Sequence, residues 1–216
     1  DVVAEVEKLL ADYPAPDGVD LEVGGTVEDQ GDAFGDLGTL LILIVILVYI
    51  VMATQFESLK FPFIIMFTIP FAFTGVFLAL WMTSTPLSLI ALIGAIMLVG
   101  IVTKNGIVMV DYMNLLIERG SGVFDAVIAG GKSRLRPVLM TSFTTILGML
   151  PLAIGTGAGS ETWQPMGIAV IGGLTFSTIL TLFIVPVLYS ILVNRSQRKE
   201  REKLARLSAE HQASKH

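Results

Sequence analysis

The chain has 216 residues, 53% of them hydrophobic, and a mean hydropathy of +0.76, values that exclude an ordinary soluble protein and point to a membrane. It contains no Cys, which excludes disulfide and thiol chemistry, and its two histidines, His211 and His216, sit in a polar tail unsuited to a metal cage. The formal net charge of −5 conceals an asymmetry: residues 1–36 carry eleven acidic side chains against Lys8 alone, whereas residues 194–216 carry seven basic and three acidic ones.

Val3, Val6, Leu9 and Leu10 recur at helical spacing among charged residues, and Pro14 and Pro16 then stop the helix. Asp17-Gly18 signals a turn, and Val19, Leu21 and Val23 alternate as a short strand ended by Gly24-Gly25. One helix and one strand are too little for a core. Residues 1–36 are therefore expected to be the leftover edge of a larger soluble α+β domain, with a polar linker at 26–36 leading to the membrane. The sequence opens on Asp1 with neither Met nor signal peptide, which reads as the C-terminal piece of something longer or a processed product.

Five apolar stretches follow, at about 37–54, 61–83, 87–111, 137–154 and 168–193, each near the length that crosses roughly 30 Å of hydrocarbon. Pro86 and Pro137 look like first-turn prolines at helix starts, and Pro70, Pro151 and Pro186 predict kinks. The fold class expected is mainly α: a polytopic membrane bundle of five transmembrane helices. A short amphipathic helix at about 122–131 should lie along the membrane surface before the fourth span. Small residues at four-residue spacing, Gly75 with Ala79 and Ala169 with Gly173, allow close helix packing.

Lys60, Arg119, Lys132, Arg134, Arg136 and the basic tail all fall on the side of the C-terminus, while the connections at 83–86 and 155–164 hold no Lys or Arg. The positive-inside rule then puts residues 194–216, a basic tail, in the cytoplasm and Asp1 outside, with Trp81 and Trp163 at the outer interface. On that orientation the Asn194-Arg195-Ser196 sequon lies on the wrong side for glycosylation.

Chemistry concentrates in GIVTKNGIVMVDYMN, residues 100–114, where Lys104 and Asp111 interrupt the third span. A charge at such depth costs roughly 2.5–3.5 kcal/mol on insertion scales and is usually kept for ion or proton handling. The two lie seven residues apart, about 10 Å along one helix face, too far for a direct pair. Lys104 is the stronger candidate, against a snorkelling amine; Asp111 lies nearer the cytoplasmic end and can equally be an interfacial charge. Arg134 and Thr141 repeat the seven-residue spacing, and each has a bland alternative: positive-inside anchoring for the arginine, a hydroxyl bonded to its own helix for the threonine. The carboxylate that Lys104 requires is absent from the other spans, so a relay needs helices from elsewhere. GTGAGS at 155–160 lacks the Lys-Ser/Thr of a phosphate loop, and no HExxH, nucleophile elbow or paired catalytic carboxylates occur, which leaves no case for an enzyme or a bound cofactor.

Together the stretches YIVMATQFESLKFP, VGIVTKNGIVMVDY, RLRPVLMTS and GTGAGSE, with the later IGG, resemble the C-terminal end of a resistance-nodulation-division (RND) transporter. The likeness covers nearly all of residues 1–195, and the TKN element is similar to the multidrug, hydrophobic-amphiphilic branch. It implies an efflux pump of the bacterial inner membrane working by drug/proton antiport, with the proton as coupling ion, and it would make residues 1–36 the remnant of a periplasmic α+β porter subdomain and its linker. Lys104 would pair with two aspartates of the N-terminal half, Thr141 and Arg134 would complete the proton relay, and Asp111 would be an acidic position of less certain role. Implied partners are membrane lipid, the N-terminal half, two further copies in a homotrimer, a periplasmic adaptor and an outer-membrane channel, but no nucleic acid. The alternative reading is a non-transporting RND-like membrane scaffold or assembly partner; a small channel is weaker, because no ring of selectivity groups is present.

Overall fold

A computed structural model of the protein describes residues 8–9, 26–157 and 159–213, with side chains at 8–9, 29–157 and 159–194. Among these residues it is helical throughout, with no strand and with five helices long and apolar enough to cross a membrane. The expected N-terminal helix, turn and strand lie outside the described residues, apart from Lys8 and Leu9, which are helical. The chain divides into two compact units, Asp1–Ile44 and Val45–His216.

Helix α1 spans Thr26–Gln55, so the linker expected at 26–36 is instead helix, continuous with the first span. Acidic residues suit the positive end of a helix, and Asp29, Asp32 and Asp36 fall in its first turns. In the second unit the following span is made of two pieces, α2 at Lys60–Met66 and α3 at Thr68–Met82. The interruption at Phe67 has a local cause: Pro70 brings no N–H to the carbonyl of Met66, the last residue of α2. Thr68 ties the two pieces together by donating its hydroxyl to the Ile65 carbonyl, at 2.6 Å.

Helix α3 ends in a Schellman turn, with Ser84 left-handed at φ +52° and Thr85 N–H donating to the Leu80 carbonyl at 3.0 Å. Helix α4, Leu89–Glu118, starts later than Pro86 suggests, because Ser88 caps it by accepting from the Ala91 N–H at 3.2 Å. It also runs seven residues past Asp111 before closing in a second Schellman turn at Gly120, φ +90°.

A correction concerns residues 122–131. They are not a separate surface helix but the first turns of α5, Val123–Ile154, which carries Pro137 and Pro151 inside it. Val123, Ala126 and Gly130 are buried, and a Cβ at Gly130 would approach Met113 Cγ to 2.7 Å. Part of this stretch thus packs inward, with Gly130 against Met113 of α4, while Phe124 and Ile128 stay exposed. After a 3-10 turn at Ser160–Thr162, α6 runs from Gln164 to Ala213 and carries the tail as uninterrupted helix.

Two clusters form the core of the second unit. One joins α3, α4 and α6 through Ala72, Val76, Leu98, Val102, Ala169 and Leu174; the other gathers Met52, Ile64, Ile65, Met109, Met113, Val185 and Tyr189. Helix α6 contributes to both. Its approach to α3 is close: a Cβ at Gly75 would meet Phe176 Cβ at 2.5 Å and the Gly172 carbonyl at 2.8 Å, and one at Gly172 would collide with Ala79 Cβ. The small-residue spacing seen in the sequence is thus a backbone-contact seam. Trp81 and Trp163 are exposed, at the end of α3 and just before α6.

Gly172→Ala should destabilise the fold by about 1–3 kcal/mol through overpacking, read as a fall in the thermal unfolding midpoint in detergent. Gly131→Ala, where a Cβ meets nothing within 4 Å, should be neutral or gain up to about 1 kcal/mol from helix propensity.

Candidate functional site

Lys104 and Thr141 meet in one groove between α4 and α5. Its volume is about 380 Å³, and Met97, Gly100, Ile101, Asn105, Ser142 and Thr145 complete its lining. Neither residue is buried: the face of α4 bearing Lys104 is left uncovered by the other helices, so its amine opens into the groove instead of a closed interior. No carboxylate lines the groove among the described residues. Gly100 widens it, since a Cβ there would meet nothing within 4 Å.

Thr141 donates its hydroxyl to the Val138 carbonyl at 3.0 Å, and Thr145 donates to the Thr141 carbonyl at 2.9 Å. These own-helix bonds satisfy the hydroxyl hydrogens while leaving oxygen lone pairs toward the groove. The groove therefore offers one cation and several acceptors. Such a wall fits an ammonium exchanging partners with water or a carboxylate.

Arg134, two turns before Thr141 on α5, does not line the groove. Its guanidinium carbon lies 4.6 Å from the Tyr112 ring centroid, a cation–π contact that ties α5 to α4. Its Nε is buried without a hydrogen-bond partner. Asp111, next to Tyr112 in sequence, turns into a separate cavity of about 290 Å³ with Gln55, Phe56, Glu57, Asn114, Leu115 and Glu118. Two of the four candidates are thus brought together, and Arg134 and Asp111 stand apart from them.

The polar end of the bundle is held by Tyr189, which is fully buried and donates its hydroxyl to Asn114 Oδ1 at 2.5 Å. Its ring stacks on Phe61, with centroids 5.6 Å apart and planes at 19°. The sequence reading missed Ser142, which is buried and shares a 2.9 Å hydroxyl–hydroxyl bond with Thr178 of α6. The signal available was the Thr-Ser pair in RLRPVLMTS, where adjacent hydroxyls must point to different faces of the helix. The glycines at 155, 157 and 159 all have positive φ, at +70°, +135° and +84°; they serve the turn between α5 and α6.

Tyr189→Phe keeps the ring stack and removes one hydrogen bond, so it should lower stability by about 0.5–1.5 kcal/mol. Thermal unfolding of the detergent-solubilised protein with and without the hydroxyl measures this.

A profile of the AcrB/AcrD/AcrF family matches residues 1–193. The swarming motility protein SwrC of Bacillus subtilis is 37% identical over 199 residues, 92% of this chain and 19% of that protein. The cobalt-zinc-cadmium resistance protein CzcA of Cupriavidus metallidurans, at 38%, and the multidrug resistance protein MdtC of Proteus mirabilis, at 36%, are covered to the same extents. Among solved structures, a heavy metal efflux pump superposes with a TM-score of 0.76 at 29% identity, over 89% of this chain and 19% of that one. The chain thus spans 19% of the length of these relatives, and it belongs to the AcrB/AcrD/AcrF family of RND transporters.

Proposed function

We propose that this chain is the C-terminal membrane part of a proton-driven efflux transporter and supplies the lysine side of its intramembrane relay. The observation that carries the reading is the groove that unites Lys104 with Thr141 and holds no carboxylate among the described residues. A lysine amine in an uncovered helix face of a membrane span calls for an acidic partner, and the N-terminal half of the transporter is the source we assign to it. Multidrug and cation-efflux relatives stand at nearly equal identity, so the multidrug assignment rests on Lys104 itself.

In this mechanism a proton neutralises the partner carboxylate, Lys104 loses that partner, and its ammonium turns to the acceptors of the groove wall. The change in partner favours a different arrangement of α4 against the facing helices, which drives the export cycle. Arg134 would act at the cytoplasmic mouth by holding α5 on α4 through Tyr112. Asp111 contributes a polar wall at the neighbouring cavity and no step of the relay. The orientation that fits is Asp1 periplasmic and the basic tail cytoplasmic, in a homotrimer joined to an adaptor and an outer-membrane channel.

In the intact transporter Lys104→Met should reduce uphill export to the background of a vector control while leaving the membrane level of folded protein unchanged. Thr141→Ala should slow export several-fold, Thr141→Ser should restore it, and Asp111→Asn should leave it within about twofold, a change worth only ~0.4 kcal/mol. Near wild-type uphill export by Lys104→Met would remove the relay from this chain.

A further inference from the structure

Among the residues that line the Lys104 groove, Ser142 alone is buried, at 4% exposure. Its hydroxyl pairs with that of Thr178 on α6, itself 5% exposed, with 2.9 Å between the oxygens. Either oxygen can be the donor. The bond joins a lining residue of the groove to α6, the helix shared by both core clusters.

Two hydroxyls facing each other hold two hydrogens but use only one between them. When Ser142 donates, its own lone pairs are free toward the groove, and Thr178 turns its hydrogen elsewhere. When Thr178 donates, Ser142 has a hydrogen to give to the groove. A charged ammonium in the groove, which can only donate, favours the first arrangement. A groove that presents an acceptor favours the second. In a low-dielectric interior such a reversal is not averaged away by solvent. One turn along α6 from Thr178, Thr181 is 1% exposed and its hydroxyl oxygen has no hydrogen-bond partner. The hydrogen bonding of that α6 face is therefore unsaturated and able to take up a reoriented hydroxyl.

We infer that the Ser142–Thr178 pair is a positioning element of the relay, whose hydrogen-bond direction follows whether the Lys104 ammonium is turned to the groove wall, and which passes that change from the groove to α6. This inference rests on the proton-relay reading above. The charged and titratable groups on the surrounding elements are accounted for. On α4, Lys104 lines the groove, Asp111 and Glu118 line the other cavity, and Tyr112 lies under Arg134. On α6, Tyr189 is bonded to Asn114. On α5 itself, Asp125, Lys132 and Arg136 are exposed and do not line the groove. Lys104 is thus the charged group that lines the same cavity as Ser142.

The test uses the intact transporter in proteoliposomes under an imposed proton gradient, with ethidium and zinc ion each offered as the transported probe and the rate followed against pH. Thr178→Val, which keeps the side-chain shape, should displace the midpoint of the pH profile by about 0.5–1 pH unit, the size expected when one hydrogen bond is lost from a titrating network. Ser142→Ala should displace it equally, the double variant no further, and Thr178→Ser should restore the wild-type profile. A wild-type midpoint in both single variants, even with less folded protein, would overturn the inference, as would displacements that add in the double variant. Lys104→Met in the same vesicles separates the two readings. Transport retained there removes the relay, whereas transport lost there with an unmoved midpoint in Thr178→Val removes only the hydroxyl pair.

Discussion

The backbone approach of α3 to α6 at Gly75, Ala79, Gly172 and Gly173 is the contact on which the rest of the bundle is arranged. A Cβ at Gly173 would run into Leu98 of α4 and come within 2.8 Å of Val76 on α3, so a single pair of glycines seats α6 against two helices. Helix association in hydrocarbon gains little from burying apolar surface, since lipid tails are equally apolar, and depends on close van der Waals contact through small residues. With α6 fixed in this way, α5 can lie across it and α4. One face of α4 is left uncovered, and that face carries Lys104.

Polar groups in this bundle follow a consistent division. Most Thr and Ser hydroxyls donate to carbonyls of their own helix, as Thr74, Thr103, Thr144 and Thr175 do, which satisfies them without any neighbour. Among the described residues, two hydrogen bonds between side chains instead join different helices, Ser142 to Thr178 and Tyr189 to Asn114. Each stands beside a cavity, since Ser142 lines the Lys104 groove and Asn114 lines the one with Asp111. These two side-chain pairs are thus placed where charge is presented, and a charge there can act on the packing of the helices.

The separation of the four candidate residues has a geometric origin. A seven-residue interval returns to nearly the same helix face, so Lys104 with Asp111 and Arg134 with Thr141 look equivalent in a linear pattern. What differs is the neighbour opposite each of them. At the level of Lys104 and Thr141 the uncovered sides of α4 and α5 enclose a groove, whereas at the level of Asp111 the partners are Gln55, Phe56 and Glu57. Arg134 meets Tyr112, one position from Asp111 and a hundred degrees around the helix.

What the amino-acid sequence determined by itself was the number of spans, their small-residue seam and the family, because each of these is written in local composition, four-residue spacing or contiguous motifs. Its errors lay at boundaries. The acidic stretch at 26–36 and the amphipathic stretch at 122–131 both extend spans, since a helix continues wherever a buried face or a helix end can use the next residues; Val123, Ala126 and Gly130 are buried, Gly130 against Met113 of α4. Tertiary structure alone decided which polar residues share a cavity. Lys104 was legible as a costly charge in an apolar run, but Ser142 looked like any small residue beside Thr141. Only the crossing of α5 over α6 brings it within hydrogen-bond reach of a hydroxyl 36 positions away.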